Sequence, residues 1–127
     1  MDYLFLFILA LHKNLRYMID VQFYKGTLQP IVLKLLQEND KMYGYEIIQK
    51  IKQITNNEFE IKEGALYPIL HKLETENVIE VEALKVDGRI RKYYKLTENG
   101  KKEAVNRLQL LNETIQQIQQ ILQPKTI

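Results

Sequence analysis

Lys85, Arg89, Arg91, Lys92 and Lys95 fall within one short stretch of the chain, opposed by a single acid, Asp87. Two of the chain's four arginines are among them. Clustered guanidinium and ammonium groups make no covalent chemistry by themselves; what they do well is pair with phosphate oxygens. By charge alone a solvated hairpin tip would look the same, so what precedes the cluster matters. Residues 64–96 read GALYPILHKLETENVIEVEALKVDGRIRKYYKL: an amphipathic segment with Pro68 near its first turn, then two short alternating strands joined through Asp87-Gly88. A helix followed by a basic-tipped hairpin is the second half of a winged helix-turn-helix. In that arrangement the helix enters the major groove and the hairpin lies along the phosphate backbone.

Other chemistries find little support. His12 and His71 are the only histidines, far apart in sequence and without a local carboxylate constellation. No metalloprotease, P-loop or dinucleotide motif occurs. Glu58, Glu60 and Glu63 cluster beside Lys62, a pattern that a solvated acidic loop explains. The absence of cysteine removes disulfides, thiolate metal sites and cysteine nucleophiles. The expectation is a protein that is not an enzyme, with no metal and no cofactor. The net charge of +2 sets up no global positive field, so any nucleic-acid affinity has to come from where the charges sit.

The elements that would position the basic cluster can be read from periodicity. With 127 residues, 46% hydrophobic and 27% charged, the chain is sized for one globular domain. Thr27 is a candidate N-cap with Pro30 in the first turn of a helix carrying Leu28, Ile31, Val32, Leu33, Leu35 and Leu36. A second helix starts near Gly44, with Ile47, Ile48, Ile51 and Ile54 on one face, and ends at Asn56-Asn57. The third, about 64–76, turns Leu66, Ile69, Leu70 and Leu73 inward. Ile79, Val81 and Ala83 alternate with acids, and Arg91 to Leu96 returns with one of Tyr93 and Tyr94 buried. Thr97 caps a last helix through Leu122. Its apolar residues Ala104, Leu108, Leu111, Ile115, Ile118 and Leu122 follow a heptad seam. At ~1.5 Å per residue it is a rod of ~37 Å, longer than so small a domain can cover. A second chain is the expected partner, with packing back on the first helix as the alternative.

Residues 1–17 differ from the rest. Tyr3 to Leu11 is an unbroken apolar run, too short for a bilayer span, which takes roughly 20 residues, and Asp2 replaces the basic start of a signal peptide. Three readings stay open: an extra helix packed on a partner, an interfacial membrane anchor, or a translated upstream stretch with Met18 as the true start. The last is favoured, because globular patterning begins at Val21-Gln22-Phe23. The expected layout is therefore an apolar extension over 1–17, a winged-helix domain over 18–97 and a dimerisation helix over 98–123. The fold class is mostly α with a small β-hairpin.

Four ordered motifs carry a family resemblance: Lys25-Gly26-Thr27-Leu28, Tyr43-Gly44-Tyr45-Glu46-Ile47, Glu63-Gly64-Ala65-Leu66-Tyr67-Pro68, and Arg91-Lys92-Tyr93-Tyr94-Lys95-Leu96-Thr97-Glu98-Asn99-Gly100. In these the chain resembles the PadR family of bacterial transcriptional regulators, small subfamily, over roughly Phe23 to Leu122. Ala65 stands where the usual family form has Thr, which removes one hydroxyl able to bond phosphate. The resemblance implies a cytoplasmic homodimer joined through its first and last helices. It would bind double-stranded DNA, most often as a repressor, at a palindromic operator with half-sites ~34 Å apart.

The candidate DNA-binding residues are Tyr43, Gly64, Ala65, Tyr67, Pro68, His71, Lys72, Lys85, Arg89, Arg91 and Lys92. Gly44 and Gly64 would permit close approach at helix starts, and core packing is the competing role for Tyr67. The candidate dimer residues are Leu108, Leu111, Ile115, Ile118 and Leu122. Family members often bind planar aromatic effectors, some by stacking on tryptophan. This chain has none, so an effector site would use Phe23, Tyr24 or aliphatic residues. Glu63, Glu74 and Glu76 on the third helix fit insertion by its tip only, and leave a protein-interaction module without DNA binding as the alternative.

Overall fold

The computed structural model describes the backbone of residues 3–124 and the side chains of residues 3–11 and 26–124. The side chains of His12, Met18, Phe23 and Tyr24 lie outside the described residues. The elements run α1 (Tyr3–Glu38), β1 (Met42–Tyr43), α2 (Gly44–Ile54), α3 (Glu63–Thr75), β2 (Ile79–Val86), β3 (Arg89–Leu96) and α4 (Glu98–Leu122). The expected winged helix is therefore present, followed by the long last helix. Among the described residues no helix is long and apolar enough to cross a membrane.

The helix ends follow local rules. Asn56 and Asn77 each take the left-handed backbone conformation (φ 52° and 66° at Asn56 and Asn57, 60° at Asn77). At each end two backbone bonds close a Schellman turn: Asn57 N–H to Lys52 O (2.8 Å) with Asn56 N–H to Gln53 O after α2, and Val78 N–H to Leu73 O (2.9 Å) with Asn77 N–H to Glu74 O after α3. Asparagine is the residue other than glycine that accepts this geometry most readily. The Thr97 hydroxyl accepts from Gly100 N–H at 2.9 Å and donates to Asn77 O at 2.7 Å, so the cap of α4 also grips the end of α3.

Three expectations need correction. Thr27 is not an N-cap: α1 continues through it, and Pro30 sits inside the helix, where it cannot donate to the Gly26 carbonyl. The wing is not a simple hairpin but a three-stranded antiparallel sheet ordered β1-β3-β2, in which two-residue β1 pairs Met42 with Tyr94 and Tyr43 with Tyr93. Ile54 does not complete the buried face of α2; it is 61% exposed at the helix end. The proline pattern has a physical reading. In α1 and again in α3 the residue four before the proline is a glycine, Gly26 before Pro30 and Gly64 before Pro68. That carbonyl is the one a proline ring crowds, and a glycine backbone yields most easily.

The core joins all the elements. Leu28, Val32, Leu33, Leu35 and Leu36 of α1 meet Ile47 and Ile51 of α2, Leu66, Leu70 and Leu73 of α3, Ile79 and Tyr94 of the sheet, and Ala104 of α4. Each fully buried aliphatic side chain stabilises the fold by about 1.5–3 kcal/mol. Gly100 allows α4 to seat: a Cβ there would collide with the Val78 carbonyl, a backbone atom that cannot move aside. Arg107 ties the layers at the surface, donating to Gln29 of α1, to Glu76 just past α3 (3.2 Å) and to Glu103 of its own helix (3.0 Å). The helix α1 carries without a break through the 17/18 boundary expected from patterning.

Candidate nucleic-acid interface

The third helix is divided by its own periodicity. Leu66, Leu70 and Leu73 are buried, while Gly64, Ala65, Tyr67, Pro68, His71 and Lys72 are all exposed. All the α3 residues singled out from sequence thus share the solvent side. Tyr67 is not a core residue, yet its ring is not free either. Its hydroxyl lies over α2, such that a Cβ on Gly44 would sit 2.7 Å from it. Glycine at 44 is thus what lets the Tyr67 ring tip lie this close to α2; a Cβ there would push the ring tip aside. At Gly64 an added Cβ would meet nothing, so no contact within the chain demands glycine there. Burial pushes the Tyr94 phenol up, and neighbouring Tyr67 and Glu74 add to the effect.

The hairpin turn has positive φ at both central residues, Asp87 (50°) and Gly88 (78°), the geometry of a type I′ turn that matches strand twist. The two-residue turn sets the register Val86 with Arg89, Lys85 with Ile90, Leu84 with Arg91 and Ala83 with Lys92. Because directly paired residues share a face and neighbours alternate, the basic residues separate into two sets. Lys85 and Lys92 share the face of Tyr94 and of Ile90, which is 77% exposed. Arg89 and Arg91 share the opposite face with Tyr43 and Tyr93. Lys95 is occupied by Glu80 at 3.3 Å and Lys41 by Glu82 at 3.3 Å.

On the second face Tyr43 and Tyr93 meet edge to face, ring centroids 5.5 Å apart, and the Arg91 guanidinium lies over the Tyr43 ring at 4.2 Å. Lys41 stands 5.6 Å from the Tyr93 ring. The Arg91 pKa is raised, first by hydrogen bonding to the Tyr93 side chain, with desolvation opposing and the charges of Tyr43, Tyr93 and Asp87 adding. Tyr43 itself is anchored by its place at the start of α2, where its N–H donates to the Glu46 carboxylate at 3.1 Å. Tyr93 and Lys41 were missed in the sequence. The signal that could have found Tyr93 is its pairing with Tyr43, but a strand of two residues has no alternation to read.

The last helix leaves its domain as its length requires. Ala104 is buried, Leu108 and Leu111 are half-buried, and Ile115, Ile118 and Leu122 are exposed, with Leu110 and Ile121 beside them.

Residues 32–106 match the sequence profile of the PadR-like transcriptional regulator family. An uncharacterized protein of Lysinibacillus sphaericus is 46% identical over 85 residues, 66% of this chain and 77% of that one. A transcriptional regulator from Clostridium thermocellum superposes with a TM-score of 0.73 at 28% identity, covering 80% of this chain and 99% of the other. A PadR-like transcriptional regulator from Bacillus cereus does so with a TM-score of 0.69 at 27% identity, covering 82% and 99%. The matched family is one of transcriptional regulators, not of enzymes. With its winged helix, its long last helix and a profile match over more than half its length, the chain belongs to the PadR-like family of transcriptional regulators.

Proposed function

We propose that this transcriptional regulator acts as a homodimeric, sequence-specific DNA-binding repressor on a roughly palindromic operator in the bacterial cytoplasm. The observation that carries the reading is the unburied side of α3 next to a hairpin whose tip holds Lys85, Arg89 and Lys92 exposed. In this reading Gly64, Ala65, Tyr67, Pro68, His71 and Lys72 face the major groove, and the wing residues, with Arg91, neutralise backbone phosphates. Tyr43 belongs to the same surface. The dimer rests on the apolar strip of α4, where Leu108, Leu111, Ile115, Ile118 and Leu122 need a second copy to leave water. A small-molecule effector would release the operator, with its site between protomers.

A protein-interaction module without DNA binding is the competing reading, favoured by the exposed acids Glu63 and Glu74 on α3. Glu76 no longer counts toward it, because Arg107 already pairs with it at 3.2 Å. A salt-titrated gel shift on the promoter region upstream of the chain's own gene separates the two. A DNA reader loses affinity linearly on a log-log plot against salt, by about 0.9 per phosphate contact. No shift on that DNA, or on sequences selected from a random pool, would leave the protein-interaction reading standing.

A further inference from the structure

The cations around the sheet are held in two different ways. Lys41 and Lys95 each lie against a carboxylate, Glu82 and Glu80, at 3.3 Å. Those pairs cancel charge and leave little for a phosphate. Arg91 has no such partner: none of the ion pairs among the described residues involves it, and Asp87 is the weakest of the influences on it. It is held by a ring, with the guanidinium 4.2 Å from the Tyr43 centroid and the Tyr43 ring braced edge-on by Tyr93 at 5.5 Å. A ring face orients a guanidinium without neutralising it, and leaves the in-plane N–H groups that the Tyr93 side chain does not take available to a phosphate.

The support behind Tyr43 is rigid. Its backbone pairs with Tyr93 across the sheet, and it is the residue from which α2 starts. The whole of β1 is Met42 and Tyr43, so this strand brings one side chain to the core and one to Arg91.

We infer that Tyr43 is not itself a DNA contact but a positioning residue, its ring braced by Tyr93 to present the uncompensated Arg91 guanidinium to a DNA phosphate. This rests on the reading of the wing as a phosphate-binding element. It narrows the role assigned to Tyr43 from sequence, and makes the union of β1 with the wing part of DNA affinity.

The test uses the full chain and a labelled mixed-sequence DNA duplex, with binding measured by anisotropy over a range of salt. Arg91→Ala is expected to lower the log-log salt slope by roughly 1.8 for two contacts per dimer. Tyr43→Leu, which keeps apolar volume but has no ring face, should weaken binding about 3- to 5-fold per site, the range for an exposed cation–ring contact. Tyr43→Phe should bind like the parent. Tyr43→Leu added to Arg91→Ala should cost nothing more, because the ring then has no cation to hold.

Damage to folding would carry over into the Arg91→Ala background, so the combined variant separates positioning from a structural defect. Should Tyr43→Leu not fold, Arg91→Lys carries the same test with Tyr43 untouched. Lysine keeps the charge but not the planar stack, so the salt slope should hold while affinity falls to the level expected of Tyr43→Leu. Arg91→Lys binding like the parent would overturn the inference, as would additive losses in the combined variant. Loss of binding in Tyr43→Phe would make the hydroxyl a direct contact and overturn it too. If Arg91→Ala changes nothing, the wing reading and this inference fall together.

Discussion

The two ends of α1 both carry many apolar residues, the N-terminal end the more of them, and they meet opposite surroundings. At its C-terminal end Leu28, Val32, Leu33, Leu35 and Leu36 are buried against α2, α3, the sheet and α4. At its N-terminal end Tyr3 through Leu9, and Leu11, stand in solvent on every side of the helix. The last helix repeats the contrast in reverse, from buried Ala104 to Ile121 at 79% and Leu122 at 74% exposed. The unbroken apolar run Tyr3 to Leu11 is exposed while the less apolar stretches around Leu33 and Ala104 are buried, so hydrophobic composition cannot be what decides burial. What decides it is whether another element stands opposite at the right distance. An apolar surface this long is stable in water only when something covers it.

The largest expected effect lies on the exposed side of that comparison. Ile115→Asp leaves the monomer's core untouched, because Ile115 is outside it. In a dimer it would bury an unpaired carboxylate, at a cost of several kcal/mol. Sedimentation should show a monomer that no longer retards DNA, with helicity by circular dichroism close to the parent's. A variant that remains dimeric would mean that α4 is covered in some other way.

Next comes a matched pair within α1. Leu33→Ala, in the core, should destabilise by about 2–5 kcal/mol, the usual cost of a buried leucine truncation. Leu9→Ala should change stability by less than about 0.5 kcal/mol, as exposed positions do. Urea unfolding of both measures the contrast directly. Similar losses at the two sites would show that the N-terminal end is buried in solution and erase the difference between the ends.

A chain beginning at Met18 sharpens the same point with a smaller effect. It should lose less than about 1.4 kcal/mol, a tenfold change in the folding constant, keep its DNA affinity, and be more soluble than the full chain. A larger loss by chemical unfolding would make residues 1–17 structural.

The smallest effect is electrostatic. The Glu98 carboxyl is held below the usual carboxylate range by the hydrogen bond from Lys101 at 2.9 Å, then by the charges of Lys101 and Lys102. A lowered folded-state pKa favours folding above the ordinary carboxylate value, and that contribution disappears as pH falls through the lowered one. In Lys101→Ala the Glu98 titration followed by NMR should move up toward its ordinary value, with stability at neutral pH nearly unchanged, since the pair is fully exposed to solvent. No movement would mean the pair does not persist in solution.

What could be read along the chain was short in range. The inward stripe of α3, the Asp87-Gly88 turn, the asparagines that end α2 and the Thr97 cap all depend on residues within about four positions of one another, so spacing and residue type carried them. The solvent side of α3 was legible for the same reason: once Leu66, Leu70 and Leu73 face inward, Tyr67, His71 and Lys72 have nowhere else to go. Thr27 misled because a threonine ahead of a proline marks a helix start only if the helix does not already continue from upstream, which local signals do not reveal.

Only the folded chain decided the rest. The strand β1 is too short to announce itself and exists because β3 offers it partners at Tyr93 and Tyr94. Gly100 is needed because the Val78 carbonyl, distant in sequence, comes up against it, and Gly44 leaves room for the Tyr67 ring tip. The one cluster of basic residues was divided: Lys95 tied to Glu80, Lys85 and Lys92 on the Tyr94 face, and Arg89 and Arg91 on the opposite face with Arg91 laid on a ring. Sequence by itself determined which residues prefer helix, turn or strand, because those preferences are properties of a residue and its near neighbours. Tertiary structure alone determined which charges were left uncompensated, because compensation depends on what the fold brings within a few ångströms.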